Sequence, residues 1–588
     1  MTAIDFVLTT DKGKQIWRWL KGQTVQDILE MLRPERYFFV QAAVFVFALA
    51  MLNGAALAQR AVARQAQKNA EQFFAQGVAM LRKGDPVRAA ASLRSALKLK
   101  PDYAAAHNAL GLALGQQGQM DAAIDSFRES VRLRPDFAEA HANLGLALQQ
   151  KGEQDAAIAE LRAAVDYRPD SAAFHSAFGY ALGQKGLLDA SVAEFEYAVK
   201  LDPGFQEAQF RLGVIRWLRQ QYDDAIAPLR AAIKLKPDHV ESHYYLGLSL
   251  QKTGQLREAI DELEKAAKLN PKLAEVQASL GNALLADEDF DRATEALRAA
   301  IKLNPNFFQA RNDLALTLIQ KREADAAIAE LGAILKLDPD NRIALHNYGL
   351  ALMQKADYAA AIENYRKLIA IDPNDAEAHY NLGLALKYKD DFAAAAEALK
   401  RSIALRPALQ EAYYTLGVIY WQQGKLDEAV KTFRQAITVN PNFSEAHYTL
   451  GTVLQQKGET DAAIAEFREA IKLAPKNPEI RNTLGNALRS KGDIAAARVE
   501  FAEGARLQKL KSNNQAATFA TNTGIQKMKD GDVDGAIQMF EKAIGLDPEY
   551  APAHYQMGLA LRKKGKQAEA QQAFNLAKRL DPRIRTPK

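Results

Sequence analysis

At 588 residues the chain is longer than one compact core can organise, so several domains or an elongated repeat array are expected. Its 76 Lys and Arg stand against 71 Asp and Glu with the signs interspersed; the net charge of +5 leaves no broad basic field, and no nucleic-acid partner is expected. Without a single cysteine there are no disulfides, no thiolate metal sites and no thiol catalysis.

The first 30 residues make an unusually long leader, after which Tyr37 to Ala58 form an uncharged run of 22 residues that is long enough to span a bilayer. Arg33 and Arg36 precede it, Asn53-Gly54 interrupts it, and Ala56-Leu57-Ala58 has the small-x-small pattern that signal peptidase cuts. Residues 31–58 therefore read as a signal peptide or a transmembrane anchor, with translation starting at Met1 or at Met31 and residues 1–30 a cytoplasmic or mis-assigned leader. Residues 59–69 read as a linker. Cleavage would leave a periplasmic or secreted chain beginning near Gln59. An uncleaved segment would give a single-pass inner-membrane protein with the rest outside the cytoplasm, and residues 37–58 would be its sole membrane contact.

From Ala70 onward a 34-residue period fills the chain. Proline recurs every 34 residues from Pro101 to Pro475, and Pro548 and Pro582 continue the spacing after one interruption. Numbering each unit from Ala70 gives fifteen repeats. Position 8 is Gly in fourteen of them, Ala315 being the exception, and position 20 is Ala in all but one, where Ser191 stands. Residues 376–386 carry Ala378, Leu382, Ala385 and Leu386 at helical spacing and predict an amphipathic first helix. Segments such as 462–473 predict a second helix, which the position-32 proline stops. Gly118, Gly152 and Gly424 at position 15 suit the turn between the two. The register slips by five residues where Lys509 replaces the proline. This divides repeats 1–13 (70–511) from repeats 14 and 15 (517–584) at residues 512–516, which predicts a kink or a small separate cap before a tail at 585–588.

These columns resemble the tetratricopeptide repeat family over about 515 residues. The resemblance implies an all-α superhelical solenoid of paired antiparallel helices, with the first helices lining a concave groove. In the family, positions 2, 5, 9, 12, 13 and 34 tend to face inward. Carried onto this chain, they make Phe210, Tyr244, Tyr380, Tyr414 and Tyr448 at position 5, with Trp217 and Trp421 at position 12, the expected partner-binding residues. The Lys and Asn set by which some members clamp a terminal carboxylate is not assembled, although Asn282 and Asn486 stand at position 9. The expected function is a non-enzymatic scaffold, without cofactor, that binds partner proteins or extended peptides. A second expectation is glycan-related. The first helices are similar to those of the repeat domain of O-linked N-acetylglucosamine transferase, and Asn143, Asn347, Asn381 and Asn522 match its position-6 asparagines. That reading makes the chain a glycan-binding or exopolysaccharide-export scaffold.

Two motifs compete with the repeat. Residues 530–541 place Asp530, Asp532, Asp534 and Glu541 at ligand positions of a calcium-binding loop, with Gly535 at its turn position. Asp534, however, sits at position 18, which is Asp in nine repeats, and a wrapped loop would unwind a helix needed for stacking, so an acidic helix N-terminus is the preferred reading. His239 and His243 stand four apart, but two nitrogens without further ligands rarely hold zinc. No phosphate-binding Gly-rich loop and no nucleophile with a base partner is present.

Overall fold

The computed structural model describes residues 37–584, with side chains from Ala58 onward. Among these residues every regular element is an α-helix, 29 in all. Most repeats have a first helix of 13 or 14 residues, a tight turn, and a second helix of 14. Ala376–Tyr388 followed by Phe392–Leu405 is representative. The described residues fall into two compact units, one ending at Asp289 and the other starting at Phe290.

Within each unit the core is a continuation of one set of columns. Ala at positions 3 and 20, a large residue at position 24 and a small one at position 27 are buried in repeat after repeat, as at Ala378, Ala395, Leu399 and Ser402. The position-8 glycine exists for the position-24 side chain. A Cβ on Gly383 would lie 2.7 Å from Leu399 Cγ, and one on Gly451 would lie 2.7 Å from Phe467 Cε1. Close approach of the two helices therefore depends on the missing side chain. Two repeats relax it. Ala315 replaces the glycine in one, and Tyr365 replaces Leu or Phe in the other; these two helix pairs are less closely apposed than the other described pairs.

Two sequence expectations need correction. Residues 59–69 are not a linker but part of the helix Tyr37–Arg82, which runs on as the first helix of repeat 1. The register break is not a kink between helices either, because Ile494–Lys529 is one helix of 36 residues that fuses the second helix of repeat 13 to the first of repeat 14. The reason is local: Lys509 leaves the second helix without its proline stop, and no Gly or Pro stands between Gly504 and Gly524. Among the described residues no helix is long and apolar enough to cross a membrane. The side chains of the apolar run 37–57, like residues 1–30 and the tail 585–588, lie outside the described residues.

Candidate functional site: the first-helix faces and their inter-repeat ladders

Polar side chains recur in ladders that tie each repeat to its neighbour. At position 4, the Nε2 of His141, His175, His243 and His447 meets the carbonyl oxygen of the preceding Pro135, Pro169, Pro237 and Pro441 at 2.8–3.1 Å. Their Nδ1 meets the position-23 carboxylates Glu160, Glu194, Glu262 and Glu466 at 2.5–2.6 Å. At His243 both partners are hydrogen-bond acceptors, which favours the ring that carries both protons. His243 is accordingly raised above its ordinary value, chiefly by the hydrogen bond to Glu262. Burial pushes Glu262 upward, but its hydrogen bonds with His243 and Lys265 bring it below the ordinary carboxylate range. Arg311 and Arg481 fill the same place with Glu330 and Glu500. This ladder could not be read from the His column alone, because the carboxylate lies 19 residues away on the other helix.

A second ladder explains the calcium-like motif. Position-18 aspartates pair with the position-14 lysine of the next repeat: Asp121 with Lys151 at 2.8 Å, Asp325 with Lys355 at 2.7 Å, Asp427 with Lys457 at 2.7 Å. Asp534 pairs with Lys564 in the same way. Asp532 caps the helix Val533–Leu546, its Oδ1 accepting the Gly535 N–H at 2.8 Å, as Asp85, Asp357, Asp391 and Asp493 cap theirs at the same repeat position. Lys527 also pairs with Asp532, and Asp530 accepts a hydrogen bond from Gln526. Glu541 lies within the helix, so these oxygens are not wrapped around one point. His239 and His243 do not converge either: His239 caps a helix, its Nδ1 accepting the Ser242 N–H, while His243 is engaged in its clamp. Among the described residues no group of three or more His, Asp or Glu side chains is placed to hold a metal ion.

The aromatic residues expected to bind a partner form two sets. In the unit ending at Asp289, Phe210, Trp217 and Tyr244 surround Tyr245, with ring centroids 6.2, 5.5 and 5.3 Å from it. Tyr245 stands at position 6, a column mostly of small or amide residues, and sequence reading missed it. The Trp217 Nε1 is buried with no hydrogen-bond partner among the described residues. In the unit from Phe290, the Tyr414 and Tyr448 hydroxyls each lie 3.3 Å from the threonine of the next repeat, Thr449 and Thr483. Tyr380 stands at the equivalent place one repeat earlier, and burial raises its phenol. Trp421 donates to Gln456 at 2.7 Å. All seven side chains are part-buried, so each ring packs on its neighbours and keeps one part in solvent. Of the asparagines expected to face a glycan, Asn143 and Asn347 are engaged with Asn108 and Asn312 of the preceding repeat.

Profiles of the tetratricopeptide repeat match residues 74–136, 108–173, 176–240, 240–273, 278–342, 376–409 and 527–585, and profiles of the TPR repeat match 349–390, 419–458 and 451–492. The chain belongs to the tetratricopeptide repeat family. A curated relative, an uncharacterised protein of Methanocaldococcus jannaschii, is 35% identical over 65 residues, covering 11% of this chain and 76% of that one. Among solved structures, that of MamA is 29% identical, covering 28% of this chain and 96% of its own, with a TM-score of 0.27. YrrB, described as a TPR protein with an unusual peptide-binding site, is 22% identical and covers 32% and 96%, with a TM-score of 0.30. At such TM-scores the likeness says nothing about partners. The architecture is that of a protein–protein interaction scaffold, a class that is generally non-catalytic.

Proposed function

We propose that this tetratricopeptide repeat scaffold binds an extended segment of a partner protein along the first helices Ala376–Tyr388, Gln410–Gln422 and Ser444–Gln456. The observation that carries the reading is the series Tyr380, Tyr414 and Tyr448. One tyrosine stands at the same helix position in three consecutive repeats, and Tyr414 and Tyr448 are each held by a hydrogen bond to the next repeat. Such rings are anchored before a partner arrives, so little side-chain entropy remains to be lost on binding. Trp421 extends the row from position 12. Cross-linking mass spectrometry of the protein in its native source tests this: partner cross-links should gather on these three first helices. A map confined to the second helices would refute it.

The same reading places the repeats outside the cytoplasm, exported or anchored through residues 37–58. Its support is the uncharged 22-residue run and the Ala56-Leu57-Ala58 pattern. Mass spectrometry of the mature N-terminus decides the matter. A soluble chain starting near Gln59 means cleavage, an intact membrane-bound chain means an anchor, and an intact chain in the cytoplasmic fraction refutes export.

A further inference from the structure

The first helices Ala172–Gln184 and Gln206–Leu218 border an apolar cleft of about 250 Å³, walled by Tyr180, Phe195, Phe210, Ile215 and Leu218. It exists because position 12 of repeat 4 is Gly183, where the neighbouring repeats carry Gln149 and Trp217. A Cβ on Gly183 would already lie 3.0 Å from Ile215 Cδ1 and 3.0 Å from Ser191 Oγ. Any larger side chain there would fill the space.

Size selects the occupant. A dry cavity of about 150 Å³ lined by aliphatic and aromatic groups holds a benzene-sized molecule, whereas small-molecule sites run from about 300 to 1,000 Å³. The cleft therefore suits one large apolar side chain better than a cofactor. Charge selects its neighbour. Arg211 is the charged residue of the lining, and its guanidinium lies 4.0 Å from the centroid of the Tyr180 ring, which fixes it at the mouth. Glu207, one turn earlier on the same helix, pairs with Arg211 Nε at 2.5 Å. Its carboxylate limits how much a second one gains without removing the preference.

We propose that this cleft is an anchor pocket for a partner segment in which a leucine or phenylalanine side chain adjoins an acidic residue. The site shares no residue with the Tyr380, Tyr414 and Tyr448 series, so either proposal stands if the other fails.

The test follows the Ile215 δ1 methyl resonance of the full chain, labelled at isoleucine methyls, during titration with two blocked tetrapeptides, Ser-Glu-Phe-Ser and Ser-Lys-Phe-Ser. The expected result is a saturable shift, with the glutamate peptide binding about threefold or more tightly than the lysine peptide. Gly183→Leu should abolish the shift. Arg211→Glu, at the part-exposed mouth, should reverse the preference, and it decides the question even if Gly183→Leu fails to fold. An Ile215 signal unmoved by both peptides overturns the proposal, as does a preference that Arg211→Glu leaves unchanged. A shift that depends on protein concentration alone assigns the cleft to a second copy of the chain and overturns it equally.

Discussion

His243 shows how much a single side chain in this chain depends on its protonation. Its imidazole is nearly buried, with a carboxylate 2.5 Å from one nitrogen and a carbonyl 2.9 Å from the other. Because its value in the folded chain is raised, the stability it contributes is complete below the ordinary histidine value of about 6.5 and is lost as pH rises through the raised value. Glu262 is depressed, so its contribution is present above the ordinary value of about 4.3 and is lost as pH falls through the lowered one. Stability against urea should therefore be greatest between these limits and decline towards alkaline pH. His243→Ala should lower stability by about 1–3 kcal/mol at pH 6 and weaken the alkaline decline. A wild-type midpoint that rises steadily from pH 6 to pH 9 would contradict the clamp. Tyr365 is the opposite case: its ring is wholly buried, and its hydroxyl has no hydrogen-bond partner among the described residues. Burial pushes its phenol far above the ordinary value. Tyr365→Phe removes an unsatisfied polar atom without changing the packing, so the urea midpoint should rise, by about 1 kcal/mol in stability.

At the scale of the element, the turn between paired helices has one conformation throughout. Position 15 has positive φ in all fifteen repeats, ten times as glycine and five times as Gln220, Glu288, Arg322, Ala356 and Asp390. The left-handed region costs a residue with a Cβ roughly 1 kcal/mol. Ala356→Gly and Arg322→Gly should each stabilise the chain by about that amount, measured as a shift in the denaturation midpoint. An unchanged or lowered midpoint for both would show the strain is absorbed elsewhere. The turn was legible in the sequence as a glycine column. Its persistence where glycine is missing was not, since the flanking helices, and not the residue itself, force the conformation there. The long helix Ile494–Lys529 makes a similar point. Lys509 and the lack of any nearby breaker were visible, yet a shifted repeat frame suggests a joint. The joint is absent because helix propagation continues wherever nothing interrupts the backbone hydrogen bonds.

At the scale of the molecule, stability is local. Within each compact unit the repeats bury their apolar columns between their own two helices and against the adjacent repeats, so each unit is a series of nearest-neighbour interfaces. Residues 70–289 and 290–584, produced separately, should each keep a helical circular dichroism spectrum and unfold cooperatively. Loss of helix in both would mean that neither unit stands on its own core. The sequence by itself determined the 34-residue unit, the place of its helices and turn, and the all-α class. Those depend on contacts within one unit, and the period of glycine, alanine and proline repeats them visibly. Only the tertiary structure decided which side chains meet across facing helices, within a repeat and between adjacent repeats. Position 4 reaches a carboxylate 19 residues on, position 18 a lysine 30 residues on, and Trp421 a glutamine 35 residues on. Tyr245 became a hub, and the space above Gly183 became a cleft, for the same reason. Such encounters depend on the side chains that neighbouring helices bring to a shared face, which no single column of the repeat records.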